Sequence, residues 1–109
     1  MSVSDQEIAH AVELFAGLGD LSTRKMMGGL CIYHQGTIFA LLMSDGQVFL
    51  KGAGAFRDTL EAAGCTRWTY VREGAKRKPT AMPYWTLPDA ALDDPDEAVA
   101  WARRALAHL

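Results

Sequence analysis

The chain has 109 residues, half of them hydrophobic and 22% charged, with a formal net charge of −2. That is enough for one domain with a real core and too apolar for intrinsic disorder, and the charge balance gives no general pull toward nucleic acid or membrane. No apolar run approaches the ~20 residues of a membrane span, and the acidic start MSVSDQEIAH lacks the basic-then-apolar order of a signal peptide, so the expectation is one cytoplasmic domain over residues 1–109.

Ser4 and Glu7 form an S-x-x-E pattern, in which each side chain satisfies a backbone donor left open at a helix start. Ile8, Ala11, Val12, Phe15 and Leu18 then recur at helical spacing, and Gly17 and Gly19 supply the stop. The spacing predicts a helix from residue 4 to about 17, with His10 and Glu13 on its polar side. His10 therefore reads as a solvated residue rather than a ligand.

From Thr23 to Lys51 the pattern is that of strands. Arg24-Lys25-Met26-Met27 is ended by Gly28-Gly29, and Leu30 to Tyr33 turns through Gln35-Gly36 into the apolar run Ile38 to Met43. That run is too short for a helix and reads as a strand buried on both faces. Asp45-Gly46 between apolar runs is a strong hairpin signal, and Val48 to Lys51 is the return strand. Gly52 and Gly54 read as a flexible turn before a second helix over 55–63, with Gly64 just past its end. Thr66 to Arg72 alternates as a fifth strand, and Glu73 to Thr80 reads as a polar loop.

The stretch AMPYWTLP sets Tyr84 and Trp85 between Pro83 and Pro88. Each proline lacks a backbone donor, which predicts a peripheral segment that is neither helix interior nor central strand. Its aromatics form either a binding platform or a lid closing over the sheet. Asp94-Pro95-Asp96-Glu97 starts a last helix with an Asp cap, a first-position proline and acids at the positive dipole end. Ala98, Trp101, Ala102, Ala105 and Leu109 line one side of it. The fold expected is α+β: an antiparallel sheet of about five strands with the N-terminal, middle and C-terminal helices packed against it.

Motifs for catalysis are lacking: no H-E-x-x-H, C-x-x-C, G-x-S-x-G or phosphate loop occurs. His10, His34 and His108 are scattered, and strand alternation puts Cys31 and His34 on opposite faces. Cys31 and Cys65 read as reduced, inert small hydrophobes, with a redox pair as the sharper alternative. The reading is of a protein that is not an enzyme and holds no cofactor or metal.

Two segments carry charge beside apolar groups. Arg67, Trp68, Tyr70, Arg72, Lys76, Arg77 and Lys78 interleave cations and aromatics, the residue types that contact phosphates and stack bases. A solvated loop is the plainer reading, and the acids from Asp89 to Glu97 follow closely. Arg24-Lys25-Met26-Met27-Gly28-Gly29 joins charge to two thioether side chains. It reads as a strand whose methionines fill core gaps, or as an adaptable partner surface.

Arg24-Lys25-Met26-Met27-Gly28-Gly29, Tyr33, Gly36, Phe39-Ala40, Asp45-Gly46, Phe49-Leu50-Lys51, Met82-Pro83-Tyr84-Trp85, Asp93-Asp94-Pro95 and Trp101-Ala102 stand in the order seen in the TfoX N-terminal domain. The chain thus resembles the amino-terminal domain of the TfoX/Sxy competence regulators over nearly its whole length. Met27 stands where that family usually has Phe, and full-length regulators continue into a second domain. The resemblance implies a compact α+β domain of a bacterial cytoplasmic protein, with no established activity or cofactor. It also implies a part in switching on DNA-uptake genes together with the cyclic-AMP receptor protein. The expectation is a protein-interaction or regulatory module, a transcription co-regulator working through protein contacts, with a homodimer among its arrangements. Arg24, Lys25, Tyr84 and Trp85 are its candidate contacts, with Arg77 and Lys78 as a weaker patch. The alternatives are direct nucleic-acid binding through Arg67–Lys78 and a small-molecule site near Tyr84 and Trp85.

Overall fold

A computed structural model gives the fold and describes residues 4–26, 28–70 and 80–109. Helix α1 (Asp5–Phe15) begins at the foreseen box: Ser4 Oγ accepts from the Glu7 N–H at 3.1 Å, and the Ser4 N–H donates to Glu7 Oε1 at 3.0 Å. Its α-helical part ends at Phe15, and a 3-10 turn over Ala16–Leu18 follows. The buried stripe is Ala11, Leu14 and Phe15, whereas Val12 is only half-buried.

Among the described residues six strands follow: β1 (Leu21–Met26), β2 (Gly29–His34), β3 (Thr37–Leu42), β4 (Val48–Lys51), β5 (Arg67–Tyr70) and β6 (Thr80–Thr86). They form one antiparallel sheet in the order β1-β2-β3-β4-β6-β5, one strand more than about five. β2 turns into β3 at Gln35-Gly36, where both residues have positive φ (49° and 81°), the geometry whose twist suits a two-residue hairpin. Between β3 and β4 the Gly46 N–H donates to Met43 O at 2.9 Å and the Gln47 N–H to Asp45 Oδ1 at 3.0 Å. Helix α2 (Phe56–Ala62) lies between β4 and β5, and α3 (Pro95–Leu106) closes the chain. Asp94 caps α3 by accepting from the Asp96 N–H.

The sheet has two unlike faces. The α-helices of the described residues bury their apolar side chains on one of them: Ala11, Leu14 and Phe15 of α1, Phe56 and Leu60 of α2, and Ala98, Ala102 and Ala105 of α3. There they meet Leu30, Ile32, Phe39, Leu42, Leu50 and Trp85, and Phe15 stands edge-on to Phe39 at 5.2 Å. Leu109, expected on the buried side of α3, lies past the helix end and is exposed. The opposite face carries a separate cluster of Cys31, Leu41, Phe49 and Tyr84, flanked by Tyr33, Ile38, Met43, Trp68 and Met82. No residue of α1, α2 or α3 belongs to it.

The expectation that AMPYWTLP is peripheral is overturned. β6 runs between β4 and β5, so Pro83 sits in an interior strand. Its missing donor falls where the ladder with β4 ends: Pro83 O accepts from the Gly52 N–H at 3.0 Å, which turns the polar groups of Pro83 toward Gly52, just past Lys51, and Gly52 O accepts from Arg57 Nε at 3.5 Å instead. On the other side a bulge interrupts the register: Arg67 pairs with Trp85 and Thr69 with Ala81, so the single residue Trp68 stands against the three residues 82–84, and Met82 O accepts from Arg67 Nε at 2.9 Å.

Candidate interaction surface

Alternation along β6 sends its two adjacent aromatics to opposite faces. Trp85 enters the helix-side core with no exposed area, donating through Nε1 to Glu61 Oε2 at 3.3 Å. Tyr84 turns to the other face, where only its last 9% is exposed and Trp68 packs against it at 6.3 Å. Burial pushes the Tyr84 phenol above its ordinary pKa, and Cys31 and Tyr33 add to the shift. Of the four candidate contacts, these two are structural in position.

Gly52 owes its identity to Trp85 rather than to the flexible turn read from the sequence. A Cβ at position 52 would stand 2.7 Å from Cζ3 and 2.8 Å from Cε3 of the indole. Above the same ring lie two guanidinium groups, Arg67 at 4.6 Å and Arg57 at 5.7 Å from its centre. Arg67 is thus tied down twice, by the Met82 carbonyl and by the Trp85 face. Trp68, the next residue, faces the helix-free side beside Phe49 and Tyr84. Tyr70 closes β5 opposite Thr80. Arg72, Lys76, Arg77 and Lys78 lie outside the described residues, so the basic segment is seen only at its start.

Arg24 and Lys25 are placed differently. β1 is an edge strand, and its residues Ser22 to Met26 are all exposed. Arg24 pairs with Cys31, which puts it on the helix-free face, and Lys25 pairs with Leu30, which puts it on the helix side. Met26 fills no core gap as the sequence suggested. It is 48% exposed and touches Cys31 through sulfur at 3.9 Å. Met27 lies outside the described residues.

Both cysteines are free, Cys31 buried and Cys65 half-buried. Burial, and next the Asp89 carboxylate, push the Cys65 thiol above its ordinary pKa, which disfavours the reactive thiolate. Among the described residues no three His, Cys, Asp or Glu side chains are grouped to hold a metal ion, and no helix is long and apolar enough to cross a membrane. A groove of ≈ 420 Å³ runs along α1, lined by His10, Leu14, Val48, Asp89 and Leu92 among others. It meets Thr86 and Leu87 but neither Tyr84 nor Trp85. Sequence reasoning placed His10 on the polar side of α1 and missed this groove, because its far wall comes from residues far along the chain.

The class defined is a small α+β domain whose antiparallel sheet carries helices on one face and an aromatic cluster on the other. The sequence profile of the TfoX N-terminal domain matches residues 13–109. The chain belongs to that family. It is similar to the DNA transformation protein TfoX1 of Aliivibrio fischeri (strain ATCC 700601 / ES114), 27% identical over 77 residues that cover 67% of this chain and 36% of that protein. The match thus spans about a third of the relative's length.

Proposed function

We propose that the protein is a non-enzymatic interaction module that supports expression of DNA-uptake genes, working through protein contacts in the cytoplasm. The family match over residues 13–109 carries this reading, and the relative's name, DNA transformation protein, gives its biological direction. The reading extends to where the module would meet its partner. Of the signature residues, Tyr84 and Trp85 hold the sheet together, while Arg24 and Lys25 stand exposed on its edge. A surface pair of cations beside exposed Met26 suits recognition of another protein.

The test is genetic. Deleting the gene lowers transcripts of DNA-uptake genes under competence-inducing conditions, and expressing the chain restores them. Unchanged transcripts in the deletion strain overturn the reading.

A further inference from the structure

We propose that the outer edge of β1 is a docking strand for an extended acidic segment of a protein partner, which joins the sheet with two consecutive carboxylates meeting Arg24 and Lys25. This rests on the interaction-module reading and specifies its partner.

The backbone comes first. The Gln35 N–H donates to Asp20 O at 3.1 Å, which sets the phase of the β1–β2 ladder. Hydrogen-bonded and non-bonded pairs alternate in an antiparallel ladder. Ser22, Arg24 and Met26 therefore turn their backbone groups toward β2, and Leu21, Thr23 and Lys25 turn theirs outward. Sheet edges in proteins are normally blunted by proline, a bulge, short length, a covering element or charged side chains. Among the described residues β1 has only the last of these, in Arg24 and Lys25: it has six residues, no proline, and an unbroken register from Leu21↔His34 to Met26↔Gly29. β5, the other edge, has four residues among those described and an interrupted register.

The side chains then choose the occupant. Among the described residues the side chains of Arg24 and Lys25 make no hydrogen bond or ion pair, and their cross-strand neighbours, Cys31 and Leu30, carry no charge to offset theirs. The two cations lie on opposite faces of the strand, so one carboxylate cannot meet both. An added strand also alternates its side chains, so acids at two successive positions reach Arg24 and Lys25 together. The following position lies beside exposed Met26 and favours an apolar residue. Run antiparallel, the segment reads apolar-acid-acid. Main-chain bonds to Thr23 and Lys25 supply affinity and the carboxylates supply selectivity. A second copy of this chain is disfavoured as occupant, because its β1, LSTRKM, would bring two more cations and no carboxylate to the same stretch of edge.

The test uses the whole chain, isotope-labelled, with a blocked peptide Thr-Val-Val-Glu-Glu-Val-Thr and its counterpart bearing lysine for both glutamates. The acidic peptide shifts the amide resonances of Thr23 and Lys25 and binds at least about tenfold more tightly than the lysine peptide, a preference that added salt weakens. The double variant Arg24→Glu/Lys25→Glu melts as the parent does and inverts the preference. The proposal is overturned if the β1 amides do not move, if both peptides move them alike, or if the charge-reversed chain keeps the parental preference. It is equally overturned if Arg24→Thr/Lys25→Thr self-associates while the parent ignores the acidic peptide, since the cations then only keep copies apart. A chain that restores DNA-uptake transcripts yet ignores the peptide loses this docking mode and keeps the broader function. A chain without effect on those transcripts loses the broader function whatever the peptide does.

Discussion

Gly52 lies flush against the indole of Trp85, so close that a methyl group at position 52 would stand 2.7 Å from Cζ3. The indole cannot retreat, because its other contacts are core and its Nε1 donates to Glu61. Gly52→Ala is expected to destabilise the fold by about 1–3 kcal/mol, the usual cost of overpacking a filled core. A urea titration of the two proteins checks this, and an unchanged midpoint would mean that the ring has slack.

Trp85 and Tyr84 differ in what their removal costs. Trp85→Ala empties a wholly buried site and is expected to cost about 3–5 kcal/mol. Tyr84→Phe keeps the ring against Trp68 and is expected to cost less than about 1.5 kcal/mol. Thermal melts of both variants separate a core role from a surface role.

Tyr84 also sets a pH dependence. Its phenol titrates above the ordinary value of about 10, chiefly through burial. In alkali the unfolded chain gives up this proton while the native chain retains it, so the unfolded state binds fewer protons. The stability contribution is therefore full below about pH 10 and is lost as pH rises through the native value. Urea midpoints followed upward from about pH 9 fall more steeply in the parent than in Tyr84→Phe. Equal slopes would place the phenol in solvent.

Arg67 connects β5 to the bulge in β6. Arg67→Ala removes both the donor to Met82 O and the cation over Trp85, and is expected to cost about 1–3 kcal/mol. Lysine restores little, having no planar fork to stack while donating sideways. If Arg67→Lys is as stable as the parent, charge alone matters there.

The thiols give a simple count. Alkylation followed by mass measurement finds both cysteines reactive in denaturant without reductant, because neither is bridged. In the native protein Cys31 is shielded by burial, and Cys65 reacts slowly because burial and Asp89 disfavour its thiolate. Asp89→Asn is expected to speed Cys65 labelling. Alkylation of neither thiol in denaturant would indicate a disulfide.

Local signals were readable from the sequence. The Ser4–Glu7 box, the Asp45-Gly46 turn and the Asp94-Pro95 helix start each act within one turn of chain, and each stands where the residues put it. What stayed hidden depends on residues distant in sequence. Pro83 is tolerated inside the sheet because its donorless side meets Gly52, just past the end of β4, whose carbonyl Arg57 satisfies instead. Gly52 is needed because Trp85 arrives beside it from far along the chain. Met26 looked like core filler, yet the strand order leaves it on an edge with nothing beyond it among the described residues. The candidate site followed the same division: the residue types of the Arg24–Gly29 block were plain, but only the strand order separates exposed Arg24 and Lys25 from buried Tyr84 and Trp85.

The most direct measurement of the account is complementation of a deletion strain, scored by DNA-uptake transcripts, with the parent chain and with Arg24→Glu/Lys25→Glu at matched abundance and equal melting temperature. The account predicts that the parent restores transcription and the charge-reversed chain does not. Full restoration by the charge-reversed chain would contradict it.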